Sequence, residues 1–133
     1  MRIVGRSEKI IFPELNISLK AKVDTGAWRT ALHVDFFKIE GDSLIFWIGN
    51  EENLFVYNEY QTVVVRNSFG HTEIRYSVFL KVKMGGKNYK ILVSLTDRKN
   101  MKFPCLIGRR FLKRYGFIVD VRQKNINDKL KKM

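Results

Sequence analysis

An alternation of apolar and polar residues with a period of two constrains the fold of this chain more than any other sequence feature. Between residues 15 and 23 every second position is apolar, namely Leu15, Ile17, Leu19, Ala21 and Val23. The same alternation returns further along in Ile74, Tyr76, Val78, Leu80 and Val82. A period of two is the pattern of a β-strand with one buried face. Two such strands in one short chain predict an all-β fold.

Shorter runs extend the prediction of strands along the chain. Residues 44–48 form a continuous apolar run, residues 62–66 are mostly β-branched, and residues 117–119 are apolar again. Each run is typical of a short strand. The Gly85-Gly86 pair predicts a tight turn into another strand over residues 89–95, and therefore a hairpin.

Helical signals are few. Residues 108–115 predict one helix, with Phe111 and Leu112 on its apolar side and Gly116 as its stop signal. A second short helix is predicted over residues 31–37. The chain is therefore expected to hold one or two short helices beside its strands.

Length and composition narrow the class of protein. A chain of 133 residues suits one domain, and 45% hydrophobic residues is too many for an intrinsically disordered chain. No apolar run approaches the ~20 residues of a membrane helix, so no membrane partner is expected. The single cysteine excludes an internal disulfide framework, and the first residues lack the apolar segment of a secretory signal. A cytoplasmic protein is the expectation.

The formal net charge of +12 is concentrated in the C-terminal quarter. Residues 98–133 hold 12 of the 25 Lys and Arg residues but only 2 of the 13 Asp and Glu residues. The division predicted is a domain over residues 1–124 followed by a basic tail over residues 125–133. The excess charge is compatible with a solvated surface, with acidic peptide substrates or with nucleic acid. Nucleic acid is unlikely because the aromatic residues are spaced as core residues rather than as a stacking surface.

The segment Asp24-Thr25-Gly26 is the first candidate for chemistry. It follows the first long predicted strand, so it places a carboxylate on a tight turn. Gly26 allows the main chain to approach that carboxylate closely, and the Thr25 hydroxyl can form a hydrogen bond within the loop. An ordinary turn that closes a strand would also account for the tripeptide alone.

The wider sequence around this loop resembles the retropepsins, the dimeric aspartic proteases of retroviral type. The string VDTGAWRTAL over residues 23–32 is similar to their active-site loop, and CLIGRRFL over residues 105–112 is similar to their second signature. The turn NSFGHTE over residues 67–73 lies where a retropepsin carries its flap. Together with LTDRKNMKFP over residues 95–104, these blocks resemble a small prokaryotic retropepsin-like group. Its members are often labelled ATP-dependent zinc proteases and are associated with ATP-grasp glutamate ligases.

The resemblance implies a fold and a set of site residues. The fold implied is a single-lobe acid-protease closed β-barrel. Asp24 would be the catalytic residue, and the other implied positions are the loop residues Thr25, Gly26 and Ala27, the flap residues Ser68, Phe69, Gly70 and His71, and the supporting residues Gly108 and Arg109. Ala27 would also line the substrate cleft.

The implied activity is hydrolysis of peptide bonds. Aspartic proteases use two carboxylates that share one proton, and this chain has a single Asp-Thr-Gly. A homodimer that pairs Asp24 with its symmetry mate is therefore predicted, with a peptide or protein as substrate and without a cofactor. Two features of this sequence depart from the retropepsin pattern. Trp28 replaces an acidic residue that usually pairs with the helix arginine, so Arg109 loses its expected partner, and the flap tip holds one glycine.

Two other functions stay open. The lobe could bind peptides without cleaving them, as an accessory module of a glutamate-ligation system. A zinc-dependent peptidase is less favoured, because its candidate ligands His33, His71 and Cys105 are widely separated and no His-Glu-x-x-His segment is present. No metal site is expected. An Asp24 held by local side chains would favour the binding module over the protease.

Overall fold

A computed structural model describes residues 2–127 of the chain. This part is built mainly from twelve strands, with helix α1 and one 3₁₀ turn. The strands are β1 (Arg2–Val4), β2 (Ser7–Phe12), β3 (Ile17–Val23), β4 (Thr30–His33), β5 (Phe36–Glu40), β6 (Ser43–Trp47), β7 (Leu54–Tyr57), β8 (Gln61–Arg66), β9 (Thr72–Met84), β10 (Lys87–Thr96), β11 (Cys105–Ile107) and β12 (Phe117–Val119). The 3₁₀ turn spans Pro13–Leu15, and helix α1 spans Arg109–Tyr115.

Six of the strands close into a barrel. Their hydrogen-bonded order is β10-β4-β11-β3-β2-β9, and β9 also pairs with β10, which completes the ring. Strand β8 pairs with β9 outside the ring and forms a hairpin with it. Closure leaves the barrel itself without free edges. The prediction of an all-β, single-lobe closed barrel is confirmed.

Two smaller sheets flank the barrel. Strands β5, β6 and β7 form an antiparallel sheet, and β1 pairs in parallel with β12. This second pairing brings the described start of the chain beside the strand that follows α1. The terminal segments of the lobe are therefore held together by backbone hydrogen bonds.

The alternation in the sequence corresponds to the inside and outside of the barrel. On β9, Val78, Leu80, Val82 and Met84 are buried, while the residues between them are more exposed. The turn that joins β9 to β10 is Gly85-Gly86, as predicted, and both residues have positive φ angles of 62° and 82°. Two positive φ angles are what a tight hairpin turn of this hand requires.

The helix predicted over residues 31–37 is wrong. This segment contains the end of β4 and the beginning of β5, with a bend between them. Strand β4 pairs with both β10 and β11, so its backbone groups are bonded within the barrel wall. A short apolar run fits a buried strand as well as a buried helix, and here the neighbouring strands decide.

The predicted strand over residues 15–23 also begins later than expected. Leu15 ends the 3₁₀ turn, and Asn16 has a left-handed conformation with φ of 53°. Strand β3 therefore starts at residue 17. Pro13 at the start of the turn favours this local structure, because its ring fixes φ in the helical range.

The predicted basic tail is described only at its beginning. The backbone N–H groups of Ile126 and Asn127 donate to the Glu8 carboxylate, over 3.2 and 3.0 Å. Glu8 is fully buried and also accepts from the N–H of Gly5 over 2.7 Å. Residues 128–133 of the predicted tail lie outside the described residues, and the domain boundary stays a prediction. No helix within residues 2–127 is long and apolar enough to cross a membrane.

Candidate active site

Asp24 lies directly after β3, where the chain leaves the barrel wall. Its backbone N–H donates to the carbonyl of Ile107 over 2.9 Å, which ties the start of the loop to β11. Its side-chain Oδ1 accepts the N–H of Gly26 over 2.9 Å. Within residues 2–127, Oδ2 has no hydrogen-bond partner, and no side chain forms an ion pair with the carboxylate. The carboxylate is thus oriented by backbone and left available to a further group.

The beginning of α1 holds the other end of this loop. The N–H groups of Arg109 and Arg110 donate to the carbonyls of Ala27 and Trp28, over 2.7 and 3.0 Å. At Gly108 a Cβ atom would lie only 2.5 Å from the carbonyl oxygen of Arg29. The close approach of the two chain segments therefore requires glycine at this position. The two signatures singled out in the sequence meet here.

The side chain of Arg109 makes two contacts with the loop. Its Nη1 donates to the carbonyl of Thr25 over 2.9 Å, and its guanidinium carbon lies 5.8 Å from the centre of the Trp28 ring. A guanidinium over an aromatic face is attracted by the ring electrons. Within residues 2–127, Arg109 thus has no acidic partner and contacts Trp28 and a backbone carbonyl instead.

The β8–β9 hairpin occupies the place predicted for a flap. The Asn67 side chain organises its turn, since Oδ1 accepts the N–H groups of Phe69 and His71 over 2.9 and 3.1 Å. Gly70 has a positive φ of 81°. Ser68 to His71 are all exposed, and Phe69 is 85% exposed. The tip therefore projects from the single lobe without packing against it.

A cavity of about 590 Å³ lies between the loop and the flap strands. Ala27, the predicted cleft residue, is in its wall, together with Val65 on β8 and Arg75 on β9. Residues of the segment after β10 complete the wall on another side, including Arg98 and Met101. Asp24 and the exposed tip of the β8–β9 hairpin lie outside this wall.

Charged side chains of both signs face this cavity. Arg75 pairs with Glu73 over 3.3 Å, and Asp97 lies 3.9 Å from the Nζ of Lys99. Arg29, in contrast, has no hydrogen-bond or ion-pair partner within residues 2–127. The positive charge of Arg29 in the cavity wall is therefore not compensated by an acidic side chain within residues 2–127.

The zinc-ligand candidates do not form a metal site. Both ring nitrogens of His33 are used: Nε2 lies 3.0 Å from Asp35, and Nδ1 accepts the N–H of Arg98 over 2.8 Å. His71 is on the exposed flap, and Cys105 is buried in the core, where burial raises the pKa of its thiol to about 12. Within residues 2–127 no three His, Cys, Asp or Glu side chains are arranged to hold a metal ion.

Two supporting residues have no clear signal in the sequence. Thr30 is buried, and its hydroxyl accepts the N–H of Gly108 over 3.1 Å, which is a second link between the two signatures. His33 fixes the segment after β10 through its bond with Arg98. Both contacts join positions more than sixty residues apart, so only the folded chain reveals them.

Comparison with known proteins supports this fold. The chain matches the crystal structure of a Legionella pneumophila protein of unknown function with a TM-score of 0.73. The two are 29% identical, and the match covers 95% of this chain and 98% of the other.

The curated relatives are longer than this chain and match it over one part of their length. The chain is 31% identical over 118 residues to a probable alpha-L-glutamate ligase of Shewanella pealeana. It is 29% identical over 122 residues to a probable alpha-L-glutamate ligase of Desulfotalea psychrophila. These matches cover 80% and 81% of this chain but 26% of each relative. The chain thus spans about a quarter of the length of the curated relatives it matches.

Residues 3–130 match the RimB-like family, described as the retropepsin-like aspartic endopeptidase RimB. This match covers nearly the whole chain and agrees with the closed barrel. The resemblance to a retropepsin-like group associated with glutamate ligases is confirmed by the family and by the relatives. The chain belongs to the RimB-like family of retropepsin-like aspartic endopeptidases.

Proposed function

We propose that this protein is an aspartic endopeptidase whose catalytic dyad consists of Asp24 from two copies of the chain. The observation that carries the proposal is the state of Asp24 in the single lobe. Its Oδ1 is fixed by the N–H of Gly26, while Oδ2 has no partner within residues 2–127. A carboxylate that is oriented but incompletely bonded is suited to meet a second carboxylate across a twofold axis.

The chemistry follows from two carboxylates at close distance. Like charges ~3 Å apart cannot both ionise, so the pair shares one proton. The ionised Asp24 removes a proton from a water molecule as the water attacks the peptide carbonyl carbon. The protonated Asp24 donates a hydrogen bond to the carbonyl oxygen, and the dyad then transfers a proton to the leaving amine. Two copies of Asp24 and one water molecule are the groups that these steps need.

The cavity beside the loop supports a peptide substrate with acidic side chains. Arg29 faces it without an ion-pair partner within residues 2–127, and Arg98 uses its Nε for the carbonyl of Phe103. A glutamate or aspartate side chain of the peptide would form an ion pair with Arg29. The exposed flap hairpin would cover such a peptide from the other side.

A peptide-library digest tests the proposal. Wild-type protein should cleave at about pH 4 to 6, where one of two coupled carboxylates is protonated, and an aspartic-protease transition-state analogue should block the cleavage. Asp24→Asn should abolish cleavage while leaving the fold and the dimer intact. Asp42→Asn, which changes an exposed aspartate, is the matched control and should retain full activity. Full activity of Asp24→Asn would refute the mechanism.

A binding module without catalysis is the second candidate. The match to relatives named probable alpha-L-glutamate ligase favours it, because this chain spans about a quarter of the length of those proteins. In that case wild-type protein and Asp24→Asn would bind acidic peptides equally, and neither would cleave them. The same digest, analysed for binding and for cleavage, separates the two functions. Chelator-sensitive cleavage would instead indicate a zinc-dependent peptidase.

A further inference from the structure

A second cavity, of about 190 Å³, lies between α1 and the barrel. Four cationic side chains line it: Arg29, Lys90, Arg110 and Arg114. Among residues 2–127, no acidic residue is in its wall. We name this cavity, with its four cations, the basic cavity. It shares Arg29 with the cleft beside the catalytic loop, but Asp24 to Trp28 do not line it.

Acidic side chains within residues 2–127 do not neutralise the cations of the basic cavity. The guanidinium groups of Arg29 and Arg110 have no hydrogen-bond or ion-pair partner in this part of the chain. The charged groups of Lys90 and Arg114 lie over aromatic rings, with Lys90 Nζ 4.5 Å from the centre of Phe79, and neither forms an ion pair within residues 2–127. Arg110 and Arg114 are four positions apart on α1 and therefore lie on one side of it, where like charges repel. The arrangement costs stability unless an anion occupies the space.

The inner wall adds polar groups that an anion can use. Ser77 and Ser94 are both buried, and their hydroxyl oxygens are 3.0 Å apart. One hydroxyl donates to the other, so the second retains a hydrogen that can point elsewhere. Buried hydroxyls in the wall of a cavity that four cations also line offer a hydrogen-bond donor to an anion that has lost its contact with water.

We propose that the basic cavity binds a small phosphate-type anion with two phosphoryl groups. Each phosphoryl group carries about −1.5 to −2 charges at neutral pH, so two of them balance four cations. Guanidinium groups bind phosphate oxygens through paired hydrogen bonds, and three of the four cations are arginines. The volume excludes a folded macromolecule. The same diphosphate chemistry could be carried by free pyrophosphate or by a nucleoside diphosphate.

Titration calorimetry on the full chain tests the proposal at constant ionic strength. Pyrophosphate should bind saturably, with orthophosphate weaker and chloride without effect. ADP in a parallel titration distinguishes the two sources: tighter binding of ADP would indicate a nucleotide, and weaker binding would indicate free pyrophosphate. The double variant Arg110→Gln with Arg114→Gln should bind pyrophosphate at least about tenfold more weakly. Lys113→Gln is the matched control, because Lys113 is exposed on the same helix and does not line the basic cavity.

A stability measurement shows whether weaker binding by the double variant results from loss of folding. Without added anion, the double variant should unfold at the same or a higher urea concentration, since two of four like charges are gone. Lys90→Gln, on β10, should weaken pyrophosphate binding independently of α1. Equal binding by wild-type protein and the double variant would overturn the proposal. Binding of a glutamate peptide, but not of pyrophosphate, would also overturn it. Neither result depends on proteolysis, so the test is separate from that of the proposed function.

Discussion

Gly108→Ala probes the contact between α1 and the loop that carries Asp24. An added Cβ would lie 2.5 Å from the carbonyl oxygen of Arg29 and 2.7 Å from that of Trp28, whereas ordinary contact begins at 3.4 Å. The loop backbone would therefore have to move by about 0.9 Å. Overpacking of this kind costs about 1–3 kcal/mol. The bonds from the Arg109 and Arg110 N–H groups would weaken as well, so we expect a total loss of about 2–4 kcal/mol.

Gly86→Ala is the control for this prediction. Gly86 has a positive φ of 82° but open space around it, whereas Gly108 has a φ of −91° and a crowded environment. The control measures only the cost of placing a side chain on a backbone with positive φ, which is about 1–2 kcal/mol. Urea unfolding followed by tryptophan fluorescence measures both losses, and the peptide digest measures activity. Gly108→Ala should be the less stable and the less active variant. A Gly108→Ala protein as stable as wild type would refute the steric argument.

Three further predictions concern the rest of the lobe. Glu8→Gln should destabilise the protein by about 1.5–3 kcal/mol in urea unfolding, because the carboxylate accepts three N–H groups and an amide oxygen cannot replace both its atoms. An unchanged unfolding midpoint would contradict this. The Cys105 thiol has a pKa raised by burial to about 12, so a thiol reagent at pH 8 should label it only in denaturant. Labelling of the native protein at the same rate would show that it is not buried. The N–H of Gly49, and then His33, lower the pKa of Asp35 below 3.8. The ionised Asp35 therefore stabilises the fold above that pH, and this contribution is lost as the pH falls. In Asp35→Asn the free energy of unfolding, measured in urea at several acidic pH values, should decrease less steeply as the pH is lowered.

The parts of the fold that sequence predicts well are those determined by local chemistry. The alternation on β9 and the Gly85-Gly86 turn give one hairpin directly, because the pattern and the positive φ angles are properties of a few neighbouring residues. The same holds for α1, which ends at Gly116 in a left-handed conformation. These elements could be predicted without knowing the contacts between distant residues.

The parts that sequence predicts badly depend on distant contacts. Residues 31–37 are mostly apolar, a composition that fits a helix or a strand, and pairing with β10 and β11 makes their first half a strand. Glu8 is an ordinary acidic residue in the sequence, but N–H groups from both ends of the lobe make it a buried anchor.

For the candidate site, the loop and the second signature could be identified from their residues, and the structure brings them together. The replacement of an acidic residue by Trp28 suggested an arginine without a partner. The cation–π contact and the bond to the Thr25 carbonyl emerge only when α1 is placed against the loop. The catalytic role of Asp24 stays a prediction that rests on this geometry and on the family.

A mixing experiment tests the shared dyad most directly. Wild-type protein and Asp24→Asn are unfolded together in equal amounts at fixed total concentration, refolded, and assayed for peptide cleavage. If each active unit needs Asp24 from both chains, random pairing leaves only about one quarter of the wild-type activity. If each chain acts alone, about one half remains. A decline of activity with the square of the wild-type fraction is the predicted result, and a linear decline would contradict the account.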